Sequence, residues 1–420
     1  MRKINISIFS NDIIITLCYI ILVFFGFISI YSSQYSEELP FVSLKNESFK
    51  QLIWILICLI IFFIIQIIEY RFIFDLAVPL YFLSVVLLVL VLIFGQEVKS
   101  SISWFNFFGL KFQPSEFAKF STALILAKVF DSSNLKVDSV KSLIKVSTLI
   151  LIPFILILFQ GDTGTALVYF SFFLVLLREG LSLKFFFIAL SFVVIFMMGI
   201  ILEKTILYTI FTILFLIIVG LSIKDFKRII NSSIFFVLVI LVINGQDFLM
   251  NNVLKPHQKK RIESLINPNA DPLGAGWNVT QSKIAIGSGS FLGKGYMEGS
   301  QTSFNFVPFQ STDFIFSVIG EEFGYLGSMI FIILYFIFLY RVLILAENQK
   351  DKFARVFGYS VFSIIFFHFF VNISMTLGLF PVVGIPLPFV SYGGSSLLSF
   401  SLLIFIFLKL NSFKPSLLSR

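Results

Sequence analysis

Charged residues, cysteines and histidines are all scarce in this sequence of 420 residues. Asp, Glu, Lys and Arg make up 13% of the chain, about half of their usual share in soluble domains. Both cysteines, Cys18 and Cys58, lie inside apolar runs, which argues against a disulfide framework and a metal site. The two histidines, His257 and His368, have no neighbours in sequence that suggest a metal site or a catalytic triad. The sequence therefore offers no signature of a disulfide-stapled secreted domain or of a metalloenzyme.

Apolar residues make up 58% of the chain, more than a soluble protein of this size can bury. Lipid is therefore the expected solvent for most of the molecule. The net charge of +8 raises the question of nucleic acid. The basic residues are spread over short loops between apolar runs, a distribution typical of membrane proteins rather than of a nucleic-acid-binding patch. We predict no nucleic-acid partner.

The apolar runs predict an all-α polytopic membrane protein with about twelve transmembrane helices. The predicted spans lie near residues 13–30, 51–68, 74–94, 115–130, 143–160, 164–178, 184–202, 206–222, 233–249, 313–340, 357–379 and 394–410. Each is near the length that crosses a bilayer as a helix. An even number of spans places both termini on the same side of the membrane, and the whole chain, 1–420, is predicted to form a single transmembrane domain.

Basic residues indicate which side is cytoplasmic. The loops and termini on one predicted side carry 19 lysines and arginines, against five in the short loops on the other side. Cytoplasmic loops of membrane proteins are the ones enriched in these residues. Both termini are therefore expected to be cytoplasmic, and the large polar loop 250–311 is expected to face outward.

The loop 250–311 is the main interruption of the apolar pattern. Seven of the 24 glycines of the chain fall within it, and residues 267–277 read Asn-Pro-Asn-Ala-Asp-Pro-Leu-Gly-Ala-Gly-Trp. Glycine permits backbone conformations and close approaches that other residues do not. Loops held on a rigid scaffold often carry function, so we predict that the membrane helices serve to hold this loop.

Polar residues also occur where the fourth helix is predicted to begin. Glu116 and Lys119 are three positions apart, so they share one face of a helix and can form an ion pair. A charge at the bilayer centre costs about 2.5–3.5 kcal/mol, and less near a helix end. The residues alone leave open whether this pair is structural or functional.

Three further polar segments interrupt the apolar spans. Residues 160–165 are typical of a tight turn in which Asp162 or Thr163 is a helix N-cap. Asp313 precedes Glu321 and Glu322 by about 12 Å of helix, which predicts carboxylates at some depth in the membrane. Residues 381–396, which include Ser391, contain three prolines and three glycines before a helix can resume. Such irregular backbone is tolerated in a membrane only where protein or water covers it.

These motifs together resemble the SEDS family, the shape, elongation, division and sporulation proteins. The similarity rests on 271–277 (Asp-Pro-Leu-Gly-Ala-Gly-Trp), 281–289 (Gln-Ser-Lys-Ile-Ala-Ile-Gly-Ser-Gly), 311–316 (Ser-Thr-Asp-Phe-Ile-Phe) with 320–324 (Gly-Glu-Glu-Phe-Gly), 387–396 (Leu-Pro-Phe-Val-Ser-Tyr-Gly-Gly-Ser-Ser) and the segment 104–119. The motifs occur in the family's order along nearly the whole chain. Residues 299–301 and 384–388 are more similar to the rod-shape elongation members than to the division members.

The resemblance implies a peptidoglycan glycosyltransferase that polymerises lipid II during cell elongation and the maintenance of cell shape. It implies a multi-pass protein of the bacterial cytoplasmic membrane that works at the outer face. Its implied partners are a class B penicillin-binding protein, which is a transpeptidase, and other membrane proteins of the elongation complex. By motif position, the family's essential aspartate falls on Asp271, and its buried pair falls on Glu116 and Lys119.

The sequence departs from the family pattern in three places. Residues 160–165 read Gln-Gly-Asp-Thr-Gly-Thr, where the family usually has Gln-Pro-Asp-Leu-Gly-Thr. The family has about ten helices, so the pair within 204–249 is expected to be an addition to that core. Residues 308–313 read Pro-Phe-Gln-Ser-Thr-Asp, without the glutamate and the histidine that the family has there. A role for those two side chains is in doubt, whereas Asp271 is unaffected.

Polymerising lipid II requires a base for the attacking sugar hydroxyl and positive charge for the departing pyrophosphate. We predict Asp271 as the base and Lys119, Arg261 or Lys111 as the cation. The other residues expected to contact substrate are Glu116, Gln281, Asp162, Asp313, Glu322 and Ser391. No cofactor is certain from the residues, although a divalent cation such as Mg²⁺ or Mn²⁺ could act at the pyrophosphate.

Other functions remain open at this point. By its local sequence alone, Asp271 also suits a helix N-cap with Pro272 in the first turn. A lipid II flippase would use a similar cavity without a general base, but the sequence shows no convincing inverted repeat. A scaffold that recruits synthases, or a division member of the same family, are further alternatives.

Overall fold

The computed structural model describes most of the chain. It covers residues 12–35, 41–43, 46–98, 101–107, 110–133, 137, 139–254, 256–266 and 274–412. Asp271 lies outside the described residues. The described residues form two compact units, one within 1–180 and 278–420 and one within 181–277.

The first unit begins with three long helices, α1 (Ile13–Gln34), α2 (Glu47–Ile67) and α3 (Tyr70–Phe94). After a small sheet come α4 (Pro114–Ser132), α5 (Val140–Phe159), the short helices α6 (Thr163–Val168) and α7 (Phe172–Arg178), and a 3-10 turn (Tyr169–Ser171) between those two. The second unit contains α8 (Leu183–Ile201), α9 (Lys204–Leu221), α10 (Phe226–Phe248), a π-helical turn (Leu249–Val253) and α11 (Pro256–Ile266). The chain continues with α12 (Ala275–Ser288), α13 (Ser300–Ser303), α14 (Ile315–Glu347), α15 (Lys352–Thr376) and α16 (Gly394–Ser412).

The all-α polytopic membrane fold is confirmed, but the count of twelve spans is not. Among the described residues, ten helices are long and apolar enough to cross a membrane. Two segments of the predicted set fall outside that ten. Helix α4 carries charged residues at both ends, and the segment Thr163–Arg178 is shorter and interrupted by the 3-10 turn. Both occupy the positions at which spans were predicted.

A small antiparallel sheet, absent from the sequence prediction, precedes α4. Its strands are β1 (Gln96–Val98), β2 (Ser101–Phe107) and β3 (Leu110–Phe112), in the order β1-β2-β3. The sheet leads into Pro114, which occupies the first turn of α4, where its missing N–H costs no helix hydrogen bond. The sheet thus ends two residues before α4, whose first turns carry Glu116 and Lys119.

The helices of the first unit that are least apolar are the most buried. The apolar windows of α15 and α16 are 67% and 72% buried, against 22% for those of α2, α3 and α5. Their mean hydropathy is also lower, 1.8 and 1.6 against 2.4 to 2.9. Lipid cannot satisfy polar groups, so helices that carry many serines and amides pack inside the protein, where they find partners.

The second unit is a separate packing of apolar helices. Ile195 of α8, Leu207 of α9, and Val239 and Ile243 of α10 form its core. An ion pair between Lys204 and Asp247 joins α9 to α10. The predicted helix pair within 204–249 is thus present as α9 and α10. Its status as an addition to a ten-helix core stays a prediction.

Candidate functional site

A fully buried ionic cluster lies at the start of α4. The Nζ atom of Lys119 is 2.9 Å from Oε1 of Glu116 and 2.8 Å from Nε2 of His368 on α15. The exposed fractions of these side chains are at most a few per cent, and Lys119 has none. The ring of Phe400 lies under the ammonium at 5.2 Å, a favourable position for a cation over an aromatic face. The predicted pair therefore forms and has a third member.

The cluster is joined to the irregular segment between α15 and α16. Nδ1 of His368 is 3.1 Å from the carbonyl oxygen of Pro386. One helical turn further, Nδ2 of Asn372 donates to the carbonyl oxygens of Ile385, at 2.8 Å, and Asp313, at 2.9 Å. The polar face of α15 thus holds two non-helical segments in place.

Ser391 also connects these two non-helical segments, the one before α14 and the one after α15, by hydrogen bonds. Its hydroxyl donates to the carbonyl oxygen of Thr312 at 2.6 Å and accepts from the backbone N–H of Leu387 at 2.8 Å. The backbone N–H of Tyr392 donates to the carbonyl oxygen of Ser311 at 2.8 Å. The segment after α15 therefore has its polar groups covered by protein, as its irregular backbone requires in a membrane.

Asp162 is the N-cap of α6, one of the two residues that the sequence suggested for that position. Its carboxylate accepts from the backbone N–H of Thr165 at 3.0 Å and from the hydroxyl of Thr165 at 2.8 Å. The same carboxylate accepts from the side-chain amide of Gln113 at 2.7 Å. Gln113 directly precedes α4, and its backbone N–H donates to Ser395 of α16. Asp162 thus links the beginnings of three helices.

Glu321 binds the chain that follows α12. Its Oε1 accepts from Nζ of Lys294 at 2.6 Å and from the backbone N–H of Gln301 at 2.9 Å. Its Oε2 accepts from the backbone N–H of Thr302 at 2.9 Å. The predicted intramembrane carboxylate is therefore matched by a cation and by the N-terminal amides of α13.

Glu322 is buried beside Glu321 and is less completely paired. Its Oε1 accepts a hydrogen bond from the hydroxyl of Ser32 on α1 and one from the backbone N–H of Met297. Its Oε2 has no hydrogen-bond donor among the described residues. The two adjacent glutamates thus connect α1 and the segment 294–302 to α14.

Helix α14 is interrupted directly after these glutamates. Gly324 has φ +64° and ψ −162°, outside the helical region. A Cβ at Gly324 would lie 2.2 Å from the backbone nitrogen of Gly293. The interruption lets the backbone of Lys294 and Gly295 donate to the carbonyls of Glu321 and Glu322, at 3.0 and 3.1 Å. Only glycine accommodates both this conformation and this approach.

The profile of the cell cycle protein family FTSW_RODA_SPOVE matches the chain in two overlapping parts, residues 12–205 and 186–415. The chain belongs to this family. Peptidoglycan glycosyltransferase RodA of Treponema pallidum is 32% identical, over 92% of this chain and 94% of the relative. Peptidoglycan glycosyltransferase MrdB of Escherichia coli K12 is 34% identical, over 76% of this chain and 73% of the relative. The resemblance drawn from the motifs is confirmed.

Solved structures of related proteins have the same fold. A chain from a structure on the coordination of polymerization and crosslinking by a peptidoglycan synthase complex superposes with a TM-score of 0.70 at 26% identity. That match covers 96% of this chain and 97% of the other. The rod shape determining protein RodA of Thermus thermophilus superposes with a TM-score of 0.61 at 23% identity, over 96% and 98% of the two chains.

The residues predicted to form the site of this FTSW_RODA_SPOVE family member are only partly brought together. Glu116 and Lys119 form one cluster, whose partner segments include Asp313 and Ser391. Lys111 is exposed on β3, and Arg261 is half-buried on α11 in the second unit. Gln281 is buried on α12. Asp271, the predicted base, lies outside the described residues, so its role stays a prediction.

Sequence reasoning missed His368 as a partner of the ion pair. The signal was a lone histidine in an apolar span, one turn before Asn372 on the same helix face. No group of three or more His, Cys, Asp or Glu side chains that could hold a metal ion occurs among the described residues.

Proposed function

We propose that this chain is a peptidoglycan glycosyltransferase that polymerises lipid II during cell elongation, with Asp271 as the general base. The observation that carries the proposal is the family match across residues 12–415 together with relatives named as peptidoglycan glycosyltransferases along nearly the same length. Family membership identifies the reaction class. The site residues follow from where this chain's own motifs fall.

The reaction joins two lipid-linked saccharides by one new glycosidic bond. The oxygen of a sugar hydroxyl attacks the anomeric carbon, and the bond from that carbon to the pyrophosphate oxygen breaks. The hydroxyl proton passes to Asp271, and the polyprenyl pyrophosphate leaves with the bonding electron pair. A well-placed general base typically contributes about 10²–10⁴-fold to such a step.

The departing pyrophosphate needs positive charge. The side chains predicted to supply it differ in how far they are exposed at the protein surface. Lys119 is fully buried and already bound to Glu116 and His368. Lys111 is exposed, and Arg261 is half-buried. A side chain without exposed surface cannot touch a substrate, so Lys111 and Arg261 are the better candidates for that contact. Lys119 is assigned instead to holding the start of α4 against α15.

The deeper polar residues have a shared role in this proposal. Asp162, Asp313 and Ser391 lie where a helix meets a loop, and Glu321 and Glu322 lie in the N-terminal part of α14, before its interruption at Gly324. Their hydrogen bonds connect neighbouring segments through both side chains and backbone groups. We assign them to shaping the loops around the substrate rather than to proton transfer. A site fixed in this way costs no reorganisation at the moment of reaction.

The proposed location is the bacterial cytoplasmic membrane, with both termini cytoplasmic and the loop 250–311 outside. The bias of basic residues supports this orientation. The proposed partner is a class B penicillin-binding protein that cross-links the new strands, within a larger set of elongation membrane proteins. The similarity to a chain of a peptidoglycan synthase complex supports such a partner.

The experiment that tests this function is reconstitution of the purified chain with lipid II, alone and with a class B penicillin-binding protein. We expect glycan strands, and more of them when the partner is present. Transport of lipid II across the vesicle membrane without any polymer would refute the proposal in favour of a flippase. Neither polymer nor transport by a folded chain, with its partner present, would favour a scaffold.

A further inference from the structure

His368 is the member of the buried cluster that the proposed reaction has not yet used. It is fully buried on α15, and both of its ring nitrogens lie within hydrogen-bond distance of other groups. Phe400 packs edge-on against its ring, with the two centroids 4.8 Å apart. A histidine that only filled space would need none of these polar contacts.

The contacts determine which nitrogen carries the proton. The ammonium of Lys119 has only donors, so Nε2 of His368 at 2.8 Å must be the acceptor. The carbonyl oxygen of Pro386 has only lone pairs, so Nδ1 at 3.1 Å must be the donor. An imidazolium would place a second positive charge and an N–H against the ammonium. The geometry therefore fits the neutral Nδ1–H tautomer.

We infer that His368 is a positioning residue for polymerisation, held neutral as the Nδ1–H tautomer between Lys119 and the carbonyl of Pro386. This inference rests on the proposed function for its consequence but on the geometry alone for the tautomer. Through its two nitrogens, the ring connects the ion pair on α4 to the segment after α15, so that the two keep a fixed relative position. It touches no substrate in this role.

Two observations indicate that the contacts of His368 affect the segments around the site. Oε1 of Glu116 and Nε2 of His368 are the two hydrogen-bond acceptors of the ammonium among the described residues, and Oε2 of Glu116 has no donor there. Asn372, on the same face of α15, binds the backbone of Ile385 and Asp313. Displacing His368 would therefore shift the segments that carry the 311–316 and 387–396 motifs of the family.

The tautomer can be measured without any activity assay. The chain has two histidines, so ¹⁵N-histidine labelling of a His257→Gln variant leaves one labelled ring. In lipid nanodiscs, its two nitrogens should show one protonated Nδ1 and one unprotonated, hydrogen-bonded Nε2. Lys119→Met should move the Nε2 signal and leave Nδ1 protonated. A protonated Nε2 would overturn the inference, whether or not the chain makes glycan.

The functional role is tested with the chain and its penicillin-binding partner on lipid II. His368→Phe keeps a ring but makes neither hydrogen bond. It should lower the polymerisation rate per folded molecule by about 10–100-fold, because the lost bond to Lys119 is one to a charged group. His368→Gln retains one acceptor and one donor and should recover part of that loss. Ser363→Ala, which removes a buried hydroxyl on the same helix with no partner among the described residues, should polymerise as the parent does.

Parental rates from folded His368→Phe would overturn the positioning role. If His368→Phe does not fold, His368→Gln and His368→Leu are compared instead. Their side chains are similar in size and differ in their polar groups, so an equal loss of polymerisation rate in both would also overturn the positioning role. Absence of glycan from the parent itself would count against the proposed function, while the nitrogen signals would still decide the tautomer.

Discussion

Replacing Lys119 by methionine tests the buried cluster most severely. The substitution keeps length and removes the charge, so the carboxylate of Glu116 loses the ammonium 2.9 Å away. Its other oxygen already lacks a donor among the described residues. Breaking one side of a buried ion pair costs about 3–5 kcal/mol, because the remaining charge is stranded away from water. We expect a loss of that size in the free energy of unfolding.

The double substitution Glu116→Leu with Lys119→Met distinguishes the cost of an unpaired buried charge from the cost of the lost contacts. It removes both charges, so the larger penalty disappears. Nε2 of His368 still loses the donor that it has in the parent, and an unsatisfied buried acceptor costs about 1–3 kcal/mol. The double variant should therefore be more stable than Lys119→Met and less stable than the parent.

The measurement is steric-trap unfolding in bicelles, with folded yield after detergent extraction as a second readout. Lys145→Met serves as the matched control, because Lys145 is exposed on α5 with only a 3.5 Å contact to Ser133. That control should stay within about 0.5 kcal/mol of the parent. If Lys119→Met were as stable as Lys145→Met, the cluster would not be a desolvated ion pair and the reasoning would fail.

Three further predictions concern α14 and the orientation of the chain. Gly324→Ala should lower the free energy of unfolding by more than about 1 kcal/mol, because φ is +64° and a Cβ would lie 2.2 Å from the backbone nitrogen of Gly293. Gly220→Ala is the control and should not lower it, because no atom lies within 4 Å of the added Cβ. Glu321→Ala should make the segment 294–302 more sensitive to protease, since its amides lose their acceptor; unchanged digestion would contradict this. A cysteine at the exposed Ser303 should label from the outer side of the membrane and one at the exposed Asn348 from the cytoplasmic side. Labelling of both from one side, or of each from the reverse side, would refute the orientation.

Local features of the site could be predicted from the sequence. Glu116 and Lys119 are three residues apart on one helix, so their pairing follows from helix geometry wherever the helix lies. Asp162 caps α6 for the same reason, since the partner amide belongs to Thr165. Apolar runs also predicted the positions of the membrane helices, because the bilayer requires a minimum length of apolar helix.

Features that depend on distant parts of the chain could not be predicted in this way. His368 is 249 positions from Lys119, and nothing in either local sequence specifies that α15 packs against α4. The three-stranded sheet was missed because its strands are only 3 to 7 residues long. The partners of Glu321 became apparent only with the fold, since the depth of a carboxylate does not reveal what binds it.

The central claim is that Asp271 is the base of a glycosyltransferase, and one comparison tests it most directly. Asp271→Asn keeps the size of the side chain but cannot accept the proton. Purified with its partner and supplied with lipid II, this variant should fold as the parent does and polymerise about 10²–10⁴-fold more slowly. Glu263→Gln is the control, because Glu263 lies nearby in sequence on α11, about 40% exposed, in a loose 3.9 Å pair with Lys259. It should polymerise at the parental rate. Near-parental glycan synthesis by folded Asp271→Asn would contradict the account.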